Sequence, residues 1–212
     1  MKLKLISLKE QKRGLPTFIF ITEVGSVFFT DFLKNLRDFS DEFNFYQLDY
    51  DLTEPDQVLD YAKASIELFK ENKIRSISLV GVDSGGALAQ AIAVRTWRIL
   101  RRLVLIDSVT RVNLSFSEKV LNRIESFLPL GLPLRKKSKA YDSRPELHRI
   151  QCPTLIFRSS LSSSFLDYQA SLLNKSIPNS WIKRLKNTSS PIKEVLLKEI
   201  LDFEKVPAKR PQ

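Results

Sequence analysis

Six residues near the middle of the chain, Gly81-Val82-Asp83-Ser84-Gly85-Gly86, set a carboxylate and a hydroxyl side by side among glycines. The apolar run Ser78-Leu79-Val80 precedes them and Ala87-Leu88-Ala89 follows. A strand that turns sharply into a helix has this pattern. Such a turn pushes one side chain out at the top of a sheet and aims helix N–H groups at whatever stands there. Small residues are needed because the backbone doubles back against a neighbouring strand. A carboxylate needs no deprotonation to attack an electrophile, but hydrolysing the ester it forms requires an activated water. Glu23 and Asp107 also follow apolar, strand-like runs, which brings them to the same rim. Three such acids have the chemistry to bind a cation or to act as acid and base, and each also reads as a solvated loop carboxylate.

The chain holds one histidine, His148. It precedes the apolar run 153–157 and so belongs at the amino end of that strand. Active sites of open parallel sheets lie beyond the carboxyl ends. At ~3.3 Å per residue, a strand of five to seven residues separates the two ends by roughly 16–23 Å. His148 therefore reads as a surface residue. Asp-Ser-Gly-Gly at 83–86 also echoes trypsin-like serine proteases. No proline follows Gly86, however, and a lone cysteine allows no intrachain disulfide. No catalytic histidine is available either, so that echo is set aside.

The elements that must carry these residues alternate along the chain. Strands are expected at 2–9, 17–21, 43–48, 76–80, 103–106, 153–157 and 181–185. Helices are expected at 28–39, 55–72, 85–96, 166–173 and 192–203, from apolar residues at helical spacing. Asp51 or Thr53 is the expected cap of the second helix. Strands alternating with helices of this length imply crossover connections and a mainly parallel sheet flanked by helices, an α/β fold. The interval 109–147 interrupts the rhythm with one amphipathic stretch (116–128), a Pro/Gly segment (129–133) and a basic run (135–139). One domain over 1–205 is expected, with that short cap-like insertion and a loose basic tail at 206–212.

The segment from Ser78 to Ala89 resembles the α/β-hydrolase superfamily in its common Leu-Val-Gly-His-Ser-x-Gly-Gly form, with Gly81, Gly85 and Gly86 matching. Pro16 to Ile21, Leu48-Asp49, Arg101 to Asp107 and Cys152 to Ile156 extend the likeness over nearly the whole chain in the same order. The resemblance implies an α/β-hydrolase fold with a reduced cap, and it exposes departures from the catalytic pattern. Asp83 stands where the family usually has its nucleophilic serine. Some members of this fold, the haloalkane dehalogenases and epoxide hydrolases, carry aspartate there, but flanked by His and Trp rather than Val82 and Ser84. Ser84 comes one residue late. The family's oxyanion-loop pair His-Gly is Thr22-Glu23, and a carboxylate there opposes the charge that acyl transfer must stabilise. The late catalytic histidine falls on about Ser189, and the late acid on Arg158-Ser159-Ser160-Leu161-Ser162.

On this reading the triad is dismantled, and the protein is a pseudoenzyme acting as a binding or scaffold module. The alternative is an atypical hydrolase using Asp83 as nucleophile on a small ester, epoxide or similar substrate. Binding contributions are expected from Thr22, Glu23, Ser84, Asp107 and Ser189, with no cofactor and no metal. The partner, a small molecule or a protein, is not named by any motif.

Apolar residues make up 43% and charged residues 27% of the 212, the proportions of a globular protein. The single cysteine, Cys152, fits a reducing, cytoplasmic compartment. No uncharged apolar run reaches the ~20 residues of a membrane span. A net charge of +10 favours weak contact with anionic surfaces. Its short clusters (Arg98/Arg101/Arg102, 135–139 and Lys183/Arg184/Lys186) carry no specific nucleic-acid motif.

Overall fold

The computed structural model describes residues 2–8, 10–12, 14–23, 42–51, 57–112, 141–158, 164–184 and 192–206. In chain order it has β1 (Leu3–Ser7), β2 (Thr17–Glu23), β3 (Asn44–Tyr50), α1 (Val58–Glu71), β4 (Ile77–Val82), α2 (Ser84–Arg95) and β5 (Leu100–Ile106). A short pair follows, β6 (Arg111–Val112) and β7 (Tyr141–Asp142), then a 3-10 turn (Leu147–Arg149). The chain continues with β8 (Thr154–Arg158), α3 (Ser164–Ser176), β9 (Ser180–Arg184) and α4 (Ile192–Lys205). The helix expected at 28–39 and the segments at 116–128, 129–133 and 135–139 lie outside the described residues.

Seven of the described strands form one sheet in the order β1-β3-β2-β4-β5-β8-β9. All neighbours run parallel except β1, which pairs antiparallel with β3 at one edge. The chain goes from β2 out to β3 and then returns past β2 to β4. Strand order therefore reverses around β2, and open α/β sheets bind ligands beyond the carboxyl ends at such a reversal. Glu23 ends β2 and Asp83 follows β4, so the backbone carries both to that crevice.

The central strands are buried on both faces, as in parallel sheets covered by helices. Phe18, Ile19, Phe20 and Ile21 are each no more than 1% exposed. Phe18 and Phe20 join Phe45, Leu196 and Ile200 on one face, so α4 covers that side. Ile19 and Ile21 join Val58, Tyr61 and Phe69 of α1 and the apolar residues of α2 on the other. Helix α2 is buried without interruption from Gly85 to Val94, which fixes its first turn firmly against the sheet.

Three details differ from the sequence expectation. The described α1 begins after Gln57, and Asp51 instead ends β3's run and offers its carbonyl to the Tyr61 hydroxyl; Thr53 lies outside the described residues. Val206, expected in the loose tail, is tied down, because its carbonyl accepts from the Arg102 guanidinium. Helix α3 is longer than its apolar stripe at both ends.

Both roots of the 109–147 insertion are pinned by buried polar groups. Gln90 Nε2 of α2 donates to the Val109 carbonyl (3.0 Å), and Ser143 Oγ donates to Gln90 Oε1 (2.6 Å). Thr110 donates both its N–H and its hydroxyl to Gln169 Oε1 of α3, at 3.0 and 2.9 Å. Each of these buried groups is satisfied, so the network orders the roots rather than penalising the fold.

Candidate functional site at the carboxyl edge

One residue separates β4 from α2, and it is Asp83. The chain reverses there with φ 49° and ψ −118°, a region that L-residues avoid. Two backbone bonds hold the turn: Asp83 N–H donates to the Ile106 carbonyl and Gly86 N–H to the Asp83 carbonyl, both at 3.1 Å. The glycines make room. A methyl group on Gly85 would lie 2.5 Å from the Ile21 carbonyl oxygen, and one on Gly86 would lie 1.9 Å from Ser108 Oγ. The first helical turn thus presses directly on the ends of β2 and β5. Asp83 is exposed at the N-terminus of α2, where the helix dipole favours negative charge.

Asp107 repeats the arrangement one strand over. It follows β5, has φ 45°, and donates its N–H to the Phe157 carbonyl at 3.1 Å. Val82 and Ile106 are register partners, so Asp83 and Asp107 are the next residues of adjacent strands. The structure therefore brings Asp83 and Asp107 to one rim, with the backbones of Thr22 and Glu23 at the end of β2 beside them. Ser189 lies outside the described residues. Among the described residues no three of His, Cys, Asp and Glu are grouped to hold a metal ion.

Ser84 is hydrogen-bonded to the end of β3. Its Oγ shares a 2.8 Å hydrogen bond with the hydroxyl of Tyr50, a fully buried residue of β3 packed edge-on against Tyr61. His148 lies in the 3-10 turn ahead of β8, exposed, with its carbonyl accepting from Gln151. The five residues of β8 place it roughly 16 Å from the carboxyl edge at ~3.3 Å per residue. Sequence reasoning missed Asp167. It stands in the first turn of α3 and pairs with Arg158 at the end of β8 and with Arg184 at 3.9 Å. The one signal available was an acid near a helix start.

Solved structures with this arrangement are numerous. The chain superposes on MGS-M2, an alpha/beta hydrolase enzyme from a Medee basin deep-sea metagenome library, with a TM-score of 0.72. The match spans 99% of this chain and 96% of that one at 14% identity. It matches the enol-lactonase from Burkholderia xenovorans LB400 with a TM-score of 0.68, over 95% of each chain at 14% identity. It matches MenH from S. aureus with a TM-score of 0.63, over 96% of this chain and 99% of that one at 16% identity.

The chain has the α/β-hydrolase fold.

No family model matches the sequence, and no curated protein matches it. The hydrolase fold puts its nucleophile at a strained strand-to-helix turn. The strand-to-helix turn between β4 and α2 of this chain holds Asp83, with Ser84 hydrogen-bonded to Tyr50. The cap is reduced to the connection between β5 and β8.

Strain at Asp83 has a direct test. Glycine normally costs more stability than alanine through unfolded-chain entropy, but a residue without Cβ is freed of strain at positive φ. Asp83→Gly is therefore expected to be more stable than Asp83→Ala by about 1 kcal/mol in urea unfolding. The usual order, alanine above glycine, would show the turn to be relaxed.

Proposed function

We propose that the protein is a non-catalytic binding or scaffold module built on the hydrolase fold. One observation carries the reading: the strained turn holds Asp83, while the chain's single histidine stands before β8, at the opposite edge of the sheet. A serine-type triad needs a base beside its nucleophile, an acid behind that base and donors for the oxyanion. The bond from Ser84 to Tyr50 further supports the reading, as does the pairing of Arg158 with Asp167 near the expected place of the late acid. The rim of Thr22, Glu23, Asp83, Ser84, Asp107 and Ser189 serves as the binding surface, for a small molecule or a protein. Its carboxylates favour cationic or hydrogen-bond-donating groups. The reading keeps the protein in the cytoplasm, where Cys152 stays a thiol. Burial pushes the pKa of that thiol up to about 12, so it is inert at neutral pH. No described helix is long and apolar enough to cross a membrane.

A second reading has one observation behind it. Asp83 is exposed and keeps a backbone conformation that a non-glycine residue adopts only under constraint. A carboxylate so held can open an epoxide: one oxygen bonds to carbon, the ring C–O bond breaks, and the ring oxygen takes a proton from water. Water deprotonated by Asp107 then attacks the new ester carbonyl, the acyl C–O bond breaks, and the leaving alkoxide takes the proton from Asp107 and departs as a diol, which restores both carboxylates. Small esters are the other substrate class in this reading.

Turnover separates the two. The purified protein is expected to hydrolyse short p-nitrophenyl esters no faster than a surface-matched control protein. Asp83→Ser and Ser189→His are each expected to stay inactive, because triad members act as a unit. Turnover on the order of 1 per second or more that vanishes in Asp83→Ala would overturn the non-catalytic reading.

A further inference from the structure

The two ends of the sheet differ in charge around its centre, while β8 and β9 end on Arg158 and Arg184, which pair with Asp167. Four neighbouring strands each lead into an acid at their carboxyl ends: β3 into Asp51, β2 into Glu23, β4 into Asp83 and β5 into Asp107. The loops entering β4, β5 and β8 from the other side, 72–76, 96–99 and 149–153, hold Lys73, Arg75, Arg98 and Arg149 and no acidic residue. These loops are neighbours in space. Ile77 N–H bonds to the Ile99 carbonyl (2.8 Å), and Leu103 N–H bonds to the Pro153 carbonyl (3.1 Å). Lys73, Arg75 and Arg98 are exposed, and none of them forms an ion pair among the described residues.

An aromatic group stands among these cations. Trp97 is 64% exposed, with the Arg98 guanidinium 5.1 Å from its ring centre. It shares an open recess of about 560 Å³ with Val206, which is 52% exposed, and with Arg101 and Lys205, which pair with Glu204 and Glu42. Arg102, buried beneath, contributes a second guanidinium, whose Nε has no partner. An exposed indole beside the Arg98 guanidinium, on an edge that also exposes Lys73 and Arg75, suits the headgroup layer of a bilayer, where the ring sits at the interface and the cations meet anionic headgroups.

We propose that this amino edge docks the protein on anionic phospholipid membranes, with the carboxyl-edge rim turned away toward solvent. The charge asymmetry sets the orientation: an anionic surface attracts the basic edge and repels the row of acids. The inference stands apart from the reading of the rim, since it asks of the rim's acids only their charge and holds whether or not the rim is catalytic.

The test is co-sedimentation with vesicles of phosphatidylcholine alone or with about a third phosphatidylserine. Binding is expected only to the second, and its loss is expected on going from about 0.1 M to about 0.5 M salt. Lys73→Glu/Arg75→Glu/Arg98→Glu is expected to weaken binding about a hundredfold or more, at several-fold per cation. A control with the same charge change elsewhere, Lys4→Glu/Lys63→Glu/Lys198→Glu, is expected to lose no more than about tenfold by net charge alone. In a Trp181→Phe background, the remaining Trp97 should shift its emission to the blue on binding, and Trp97→Ala should weaken binding in an otherwise intact protein. Equal loss in the two triple variants, no preference for phosphatidylserine, an unshifted Trp97, or capture of a single-stranded RNA oligonucleotide with vesicles ignored would each overturn the proposal.

Discussion

Gly86→Ala is expected to cost about 3 kcal/mol or more of stability, at the upper end for adding one methyl group to a packed interior. The new carbon would lie 1.9 Å from Ser108 Oγ, 2.4 Å from Ser108 Cβ and 3.3 Å from Ser108 Cα. Rotating the serine cannot relieve the clash with its own Cβ. Helix α2 or the end of β5 must shift instead, and α2 is buried along nearly its whole length. Ser108 is also committed: it is 3% exposed, and its hydroxyl lies 3.2 Å from the Ile106 carbonyl and 3.4 Å from that of Gly81. Ser108→Gly removes both offending atoms and leaves only the 3.3 Å approach to the backbone of residue 108. The double variant Gly86→Ala/Ser108→Gly should then recover about 2 kcal/mol relative to the sum of the singles, measured as a double-mutant cycle in urea. Simple additivity would show that the helix start is not pressed on the end of β5. Gly14→Ala is the contrasting case. Nothing lies within 4 Å of its added methyl group, and φ of +85° is the sole cause of strain, so about 1 kcal/mol is expected.

Removing Arg101 should be the second large loss. Glu204 lies in the last turn of α4 with 5% exposure. Its Oε1 accepts from Arg101 Nε at 2.7 Å and its Oε2 from the Ser78 hydroxyl at 2.6 Å. These hydrogen bonds join α4 to β4 and β5 across the sheet face. Arg101→Met strands the carboxylate with one neutral donor, and a buried charge that loses its partner costs about 3 kcal/mol. Arg101 is itself part-exposed, so water replaces some of what is lost. Adding Glu204→Leu removes the stranded charge and leaves Ser78 without this acceptor and Arg102 without this nearby carboxylate. The double variant is therefore expected to be more stable than Arg101→Met alone by about 1 kcal/mol or more. A double variant less stable than the single would mean that the ion pair does not hold this corner.

Much of this architecture was legible in the sequence, and the particular residues show why. Phe18 to Ile21 form an apolar run too short for a helix and too continuous for a one-faced strand, and all four are buried. The glycine spacing at 81, 85 and 86 announced a turn whose tight packing leaves no room for side chains. Other features depend on tertiary partners that local patterns do not encode. Alternation marks β1 as a strand but says nothing of its antiparallel direction. Two-residue strands such as β6 and β7 have no period to detect. Helix α3 runs past its apolar stripe to Ser176, where Asn174 accepts from the Ser180 hydroxyl. At the rim, Asp83 and Asp107 could be placed from strand ends alone. The bond of Ser84 to Tyr50 joins residues 34 apart in sequence, and no spacing rule reaches that far.

The central claim is that Asp83 occupies a strained turn without acting as a nucleophile. Isotope transfer tests it most directly. The protein is incubated with a panel of small epoxides in ¹⁸O-water, and the peptide carrying Asp83 is weighed. A covalent route hydrolyses the Asp83 ester by attack of water on its carbonyl, which leaves a solvent oxygen in the carboxylate. The Asp83 peptide is expected to keep its ordinary mass with every substrate. A heavier Asp83 peptide that appears with a substrate, and not without one, would contradict the account and identify the protein as an aspartate-dependent hydrolase.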